Sequence, residues 1–85
     1  MKRRERQILA VLTYSATPLS GAQIWAATGL RSASIYPTLN ELEKAGDVES
    51  WWAPGPYPRT RIYRPTMSGR ERFLDAFPGA GGQPE

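Results

Sequence analysis

Apolar residues recur at helical spacing through the first half of the chain, and after Gly46 the pattern switches to alternation. Ile8, Leu9, Val11 and Leu12 form one stripe. Residues 2 to about 15 are therefore expected to form a helix whose charged first turn lies outside the stripe. Ala16-Thr17-Pro18-Leu19 breaks the period, and Leu19 is expected to make a short extended contact with a small sheet. Ser20-Gly21-Ala22-Gln23 fits a capping box, with Ser20 as the cap and Gln23 reaching back. A second helix follows from Gly21 to about Thr28, stopped by Gly29, with Ile24 and Trp25 as buried anchors helped by Ala27 and Leu30.

The third stripe is the most informative. Ile35, Leu39 and Leu42 fall at i, i+4 and i+7, one face of a helix. Gly46 stands where a left-handed residue stops such a helix. Pro37 is tolerated only near a helix start, so the helix should begin close to Ser32 or Ser34, either of which can cap it. The polar face then carries Ser34, Pro37, Thr38, Glu41 and Lys44, with Tyr36 at its border. Asn40 could in principle read adenine through two hydrogen bonds, but its place near the buried side keeps it out of the expected set. Small hydroxyls and an aromatic ring at a helix N-terminus can meet a phosphate backbone and the base edges below it. The alternative is an amphipathic core helix with no such role.

Downstream, Asp47-Val48-Glu49-Ser50-Trp51-Trp52 alternates like a strand. Ala53-Pro54-Gly55-Pro56-Tyr57-Pro58 is a loop, because proline recurs at every second position around a glycine. Arg59 to Arg64 reads as a second strand, with Arg59 and Arg61 on one face and Thr60 and Ile62 on the other. Thr66 can cap a last helix through about Phe77, with Phe73, Leu74 and Phe77 as its apolar face and Gly69 weakening it. The expected core is Ile8, Leu12, Ile24, Leu39, Leu42, Val48, Ile62 and Phe73. The fold class is thus α+β: a winged helix-turn-helix with a three-helix core, a β-hairpin wing and a short C-terminal helix. The domain spans 1–77, and 78–85 is expected to be a disordered tail.

Composition narrows the chemistry. The 85 residues include neither cysteine nor histidine. Thiolate and imidazole metal sites, Ser-His-Asp triads and Cys-His pairs are thereby excluded. The chain reads as a binding module rather than an enzyme, with no cofactor. No segment reaches the length of a membrane span, and the apolar run behind Met1-Lys2-Arg3-Arg4 is too short for a secretory signal. A cytoplasmic protein is expected. Eleven basic residues against eight acidic ones leave a net charge of +3, unevenly spread. Lys2, Arg3, Arg4 and Arg6 cluster early; Arg59, Arg61, Arg64, Arg70 and Arg72 cluster late. A polyanion would be gripped by these two ends and by the start of the central helix.

Ser34-Ile35-Tyr36-Pro37-Thr38-Leu39, followed by Leu42-Glu43 and Gly46, resembles the recognition-helix signature of the PadR family of transcriptional regulators, Tyr-Pro-x-Leu-x-x-Leu-Glu-x-x-Gly. Ile62-Tyr63-Arg64-Pro65-Thr66-Met67-Ser68-Gly69 resembles the family's Tyr-Tyr-Arg-Leu-Thr-x-x-Gly segment. The likeness covers roughly Leu19 to Phe73. It departs from the family pattern at Ala22-Gln23, Thr60 and Pro65. Only a short last helix precedes the glycine-rich tail, which implies a short form without the family's long C-terminal dimerisation helix.

The resemblance implies a regulator of double-stranded DNA, with residues of about 32–45 in the major groove. Tyr36 would touch the phosphate backbone. The basic wing, 51–64, would lie on the flanking backbone or minor groove, where Arg59 and Arg61 are the contacts. Ser32, Ser34, Pro37 and Thr38 complete the expected DNA-binding set. A homodimer is expected, with the first helix and Phe73–Phe77 as its candidate surface; no effector is indicated. The competing reading is a protein-interaction module, or a phage or mobile-element regulator, using Trp51, Trp52, Tyr57 and the proline-rich rim of the wing.

Overall fold

Local chemistry sets the ends of nearly every element in the computed structural model, which describes residues 1–77. The order is α1 (Arg3–Tyr14), β1 (Leu19–Ser20), α2 (Gly21–Thr28), α3 (Ser32–Lys44), β2 (Val48–Trp52), β3 (Arg61–Pro65) and α4 (Met67–Ala76). This is the α+β winged helix-turn-helix. The expected tail at 78–85 lies outside the described residues. Among the described residues no helix is long and apolar enough to cross a membrane.

The capping box at α2 forms as the sequence implies. Ser20 Oγ accepts from the Gln23 N–H at 3.2 Å, and Gln23 Oε1 accepts from the Ser20 N–H at 2.8 Å. Gly29 ends the helix at φ 73°, and its N–H donates to the Trp25 carbonyl. At α3 the capping expectation fails. The N-cap is Arg31, and neither Ser32 nor Ser34 caps the helix. The Arg31 carbonyl instead accepts from the N–H groups of Ser34 and Ile35, at 2.8 and 2.9 Å. Pro37 therefore sits deeper than a first turn, inside a helix that runs unbroken past it. Its missing N–H would have bonded the Ala33 carbonyl, which lies on the exposed side where water can replace the bond.

β3 lies between β1 and β2, antiparallel to both. The register Val48↔Pro65, Ser50↔Tyr63, Trp52↔Arg61 puts these residues on the face toward the helices. Glu49↔Arg64 and Trp51↔Ile62 share the outer face. Ile62 is accordingly not a core residue; Tyr63 takes that place. The core joins Ile8, Leu9 and Leu12 of α1 with Ile24, Ile35, Leu39, Leu42, Val48, Tyr63 and Phe73. Each fully buried aliphatic side chain stabilises the fold by about 1.5–3 kcal/mol. Trp25 is the main error of the core reading: it is 55% exposed, while Ile24 beside it is fully buried. Ala27 is also exposed.

The end of α3 is tied to the start of α4. Gly46, at φ 82°, donates to the Glu43 carbonyl at 3.0 Å, and Asp47 donates to Leu42 at 2.9 Å. This is the paired bonding of a Schellman turn. Thr66 N–H then donates to the Asp47 carbonyl at 3.0 Å, and Thr66 Oγ1 to the Gly46 carbonyl at 2.6 Å. Thr66 Oγ1 also caps α4 by accepting from Gly69 at 3.0 Å. The Asp47 side chain is buried and accepts from Arg72 Nε and Nη2 at 3.0 and 2.6 Å. That bond pushes the Arg72 guanidinium above its ordinary value, so it stays charged throughout the working range.

Gly69 does not merely weaken α4. A Cβ there would overlap the Asp47 backbone carbonyl, so glycine is what lets α4 approach the turn. Gly→Ala in an open helix gains up to about 1 kcal/mol. Here Gly69→Ala is expected to destabilise by about 1–3 kcal/mol, as overpacking does. Urea unfolding reads the change as a lower midpoint at unchanged slope; a higher midpoint would mean that the close approach is absent in solution.

Candidate nucleic-acid interface

α3 buries Ile35, Leu39 and Leu42 and turns the opposite face outward. That face carries Ala33, Pro37, Asn40, Glu41 and Lys44, all exposed. Asn40, expected near the buried side, is exposed. At 100° per residue it falls between Tyr36 and Ala33, on the exposed side of the helix. Tyr36 and Glu43 form one border of the face, and Ser34 and Thr38 form the other.

The two borders meet different neighbours. Tyr36 lines a shallow groove with Gly21, Trp52, Arg59, Arg61 and Tyr63. Its ring is 46% exposed, and its hydroxyl end rests against Gly21, where a Cβ would collide with it. Pro37 and Thr38 line a second groove with Lys2, Arg3, Arg4 and Glu41. Of the expected DNA-binding residues, Tyr36, Arg59 and Arg61 thus line one groove and Pro37 and Thr38 the other, on either side of one exposed helix face, while Ser32 and Ser34 line neither. Ser32 is exposed at the helix start, and Ser34 is half-buried. Thr38 Oγ1 donates to the Ser34 carbonyl at 2.7 Å, which leaves that hydroxyl with acceptor capacity only.

The wing arginines differ from each other. β3 begins at Arg61, so Arg59 is in the loop and not on a strand as the alternation suggested. The last in-register backbone bond is Ala53 N–H to Thr60 O at 2.7 Å, and beyond it Pro54, Pro56 and Pro58 have no N–H with which to extend the ladder. Arg59 is exposed and makes no ion pair among the described residues. Arg61 is held: its Nε donates to Ser50 Oγ at 3.1 Å, and its guanidinium carbon lies 5.0 Å from the Trp52 ring centroid. Arg64 is paired with Glu49 and lies over Trp51 at 5.2 Å on the outer face, away from α3.

The seam between α1 and α4 is filled from within. Phe73 is buried, meeting Tyr14 edge-on at 6.0 Å and Phe77 at 5.5 Å, and Arg6 lies 5.3 Å from the Phe77 ring centroid. Phe73 is therefore not part of a free dimer surface.

Over residues 8–75 the sequence matches the family described as "Transcriptional regulator PadR-like family". No curated protein matches significantly. Among solved structures, a Streptococcus mutans protein is 25% identical at a TM-score of 0.75, with 89% of this chain and 74% of that one covered. Bacillus subtilis PadR, solved in complex with operator DNA, is 22% identical at a TM-score of 0.79. All of this chain, but 51% of that one, is covered, so the chain spans about half its length. A PadR family regulator from Clostridium difficile is 15% identical at a TM-score of 0.80, with 92% and 86% covered.

Tyr63 gives the groove a titratable floor. Burial raises its phenol above the ordinary 10.0, and the neighbouring Arg61 charge opposes this with a smaller lowering. The folded state thus holds the Tyr63 proton more tightly than the unfolded chain. Its contribution to stability is complete below the unfolded value and is lost as pH rises through the folded one. Between about pH 9 and 11 the stability of the wild type should fall more steeply than that of Tyr63→Phe. Urea midpoints across that range make the comparison; parallel curves would mean that Tyr63 is not the group responsible.

Proposed function

The chain belongs to the transcriptional regulator PadR-like family, and from that premise we propose that it is a sequence-specific regulator that binds double-stranded DNA through α3 and the wing. The observation that carries this reading is the double flank of α3. Lys2, Arg3 and Arg4 stand on one side of its exposed face, and Arg59 and Arg61 on the other. From Ser32 to Asn40 the helix itself has no acidic residue. A helix face that is uncharged as far as Asn40, with three cations on one flank beside Glu5 and Glu41 and two arginines on the other, suits a major groove between two phosphate backbones. That a relative of the same fold was solved on operator DNA adds support.

Roles follow from position. Ser32 lies in the first turn of α3, whose free N–H groups suit a phosphate oxygen. Tyr36 and Arg59 grip the backbone on the wing side, with Arg61 behind them. Pro37 and Asn40 face the groove floor, and an asparagine can bond adenine through two hydrogen bonds. Thr38 accepts at the border near Lys2–Arg4. Ser34 acts mainly through its carbonyl, by fixing the Thr38 hydroxyl. Two copies on two half-sites about one helical turn apart is the expected assembly. Its interface would have to lie outside the filled α1–α4 seam. The protein-interaction reading has less support: Trp52, Tyr57 and Trp51 are exposed, but Trp51 and Trp52 lie on opposite faces of the sheet and each is overlaid by an arginine of the same chain.

Titration of a labelled duplex over a series of salt concentrations tests the proposal. About six phosphate contacts give a log–log slope of roughly −5. Arg59→Ala should weaken binding to all sequences alike and flatten the slope by about 0.9. Asn40→Ala should relax preference at one base pair and cost about 1–3 kcal/mol there. Folded protein that binds no duplex at low salt would refute the reading.

A further inference from the structure

Glu43 stands on the border of α3 that faces the sheet, and there it meets the wing. Its Oε2 accepts from Ser50 Oγ at 2.8 Å and lies 3.8 Å from Arg61 Nη2. Arg61 Nε donates to the same Ser50 oxygen at 3.1 Å, and the guanidinium leans on Trp52. Residues from α3, β2 and β3 thus close a ring of polar contacts, in which the serine hydroxyl accepts from the cation and donates to the anion. A hydroxyl used both ways polarises, and each bond strengthens the other. Yet both charged side chains remain more than one-third exposed, at 36% and 37%. An ion pair so placed is weak enough to open.

We propose that Glu43 is a latch on the wing, a positioning residue that withholds Arg61 from polyanions at large and releases it when a duplex seats against α3. The proposal rests on the reading of α3 and the wing as the DNA-binding surface. A phosphate entering the groove beside Tyr36 finds Arg59 free. The Arg61 charge it meets is already part-neutralised, with a carboxylate behind it. Binding to arbitrary sequence therefore uses one of the two arginines, Arg59 and Arg61, that line this groove. A duplex pressed close by α3 brings a phosphate near enough to replace the carboxylate.

The test compares wild type with Glu43→Gln, Ser50→Ala, Arg61→Ala and the double variant Glu43→Gln/Arg61→Ala, each checked for folding by thermal melt. In the free protein, the Arg61 Nε–H should exchange with water faster in Glu43→Gln and in Ser50→Ala than in wild type, read by nitrogen-15 NMR. On a duplex of arbitrary sequence at low salt, Glu43→Gln should bind about threefold to tenfold tighter, with a salt slope steeper by about 0.9, one added phosphate contact. The double variant should match Arg61→Ala. If Glu43→Gln tightens binding equally in the Arg61→Ala background, Glu43 only repels DNA and the latch is overturned. Unchanged exchange and unchanged affinity in Glu43→Gln overturn it as well. Wild type that binds no duplex overturns the DNA reading and the latch together, and its own silence distinguishes that failure from the others.

Discussion

The turn that ends α3 is the constraint on which the rest of the structure depends. It is a backbone event: Gly46 takes a positive φ, and the chain reverses over two hydrogen bonds to Leu42 and Glu43. The Gly46 and Asp47 carbonyls that it presents are then taken by Thr66, with Ser68 as a second donor to Gly46 at 3.1 Å. Thr66 immediately follows β3 and precedes α4. One residue therefore ties the start of β2, the end of β3 and the start of α4 to the C-terminus of α3. The wing cannot swing about its base without breaking these bonds. The spacing between α3 and the hairpin, which any groove-reading arrangement needs, follows from that junction.

Charge is divided between holding this frame and facing outward. Of the late arginines, Arg72 is committed to buried Asp47, Arg64 to Glu49, and Arg61 in part to Glu43. Asp47 is 3% exposed, so its pair is the one with structural weight; the other two are exposed and contribute little. Arg59, Arg70 and Lys2 to Arg4 make no ion pair among the described residues, and of these Arg59 in the loop and Lys2 to Arg4 at the opposite edge flank α3. The basic clusters of the sequence thus overstate the wing and understate the N-terminus of α1, because a count of charges does not reveal which are already paired.

The sequence was most legible where backbone chemistry has few solutions. The Ser20–Gln23 box, the Thr66 cap and the stops at Gly29 and Gly46 all follow from which residues tolerate a cap or a positive φ. It was least legible where solvent and tertiary contact decide. Trp25 follows buried Ile24, but at 100° further around α2 it leaves the core, and size alone had suggested burial. Ser32 and Ser34 had the chemistry of caps, yet the helix begins one residue earlier, with Arg31 supplying only its carbonyl. Arg59 continued the alternation of β3, but strand pairing stops at Trp52↔Arg61, and no period along the chain marks where a ladder ends. Gly69 looked like a weak point of a helix because the turn it packs against lies far away in sequence.

The central claim is that the duplex meets the exposed face of α3 between its two basic walls. Amide chemical shifts followed during titration with a short duplex test this residue by residue. The account predicts that changes concentrate at Lys2–Arg4, at Ser32–Asn40 and in the loop from Ala53 to Arg61, while Glu49, Ile62 and Arg64 on the outer face of the sheet stay fixed. Changes confined to that outer face, with α3 unmoved, would contradict it.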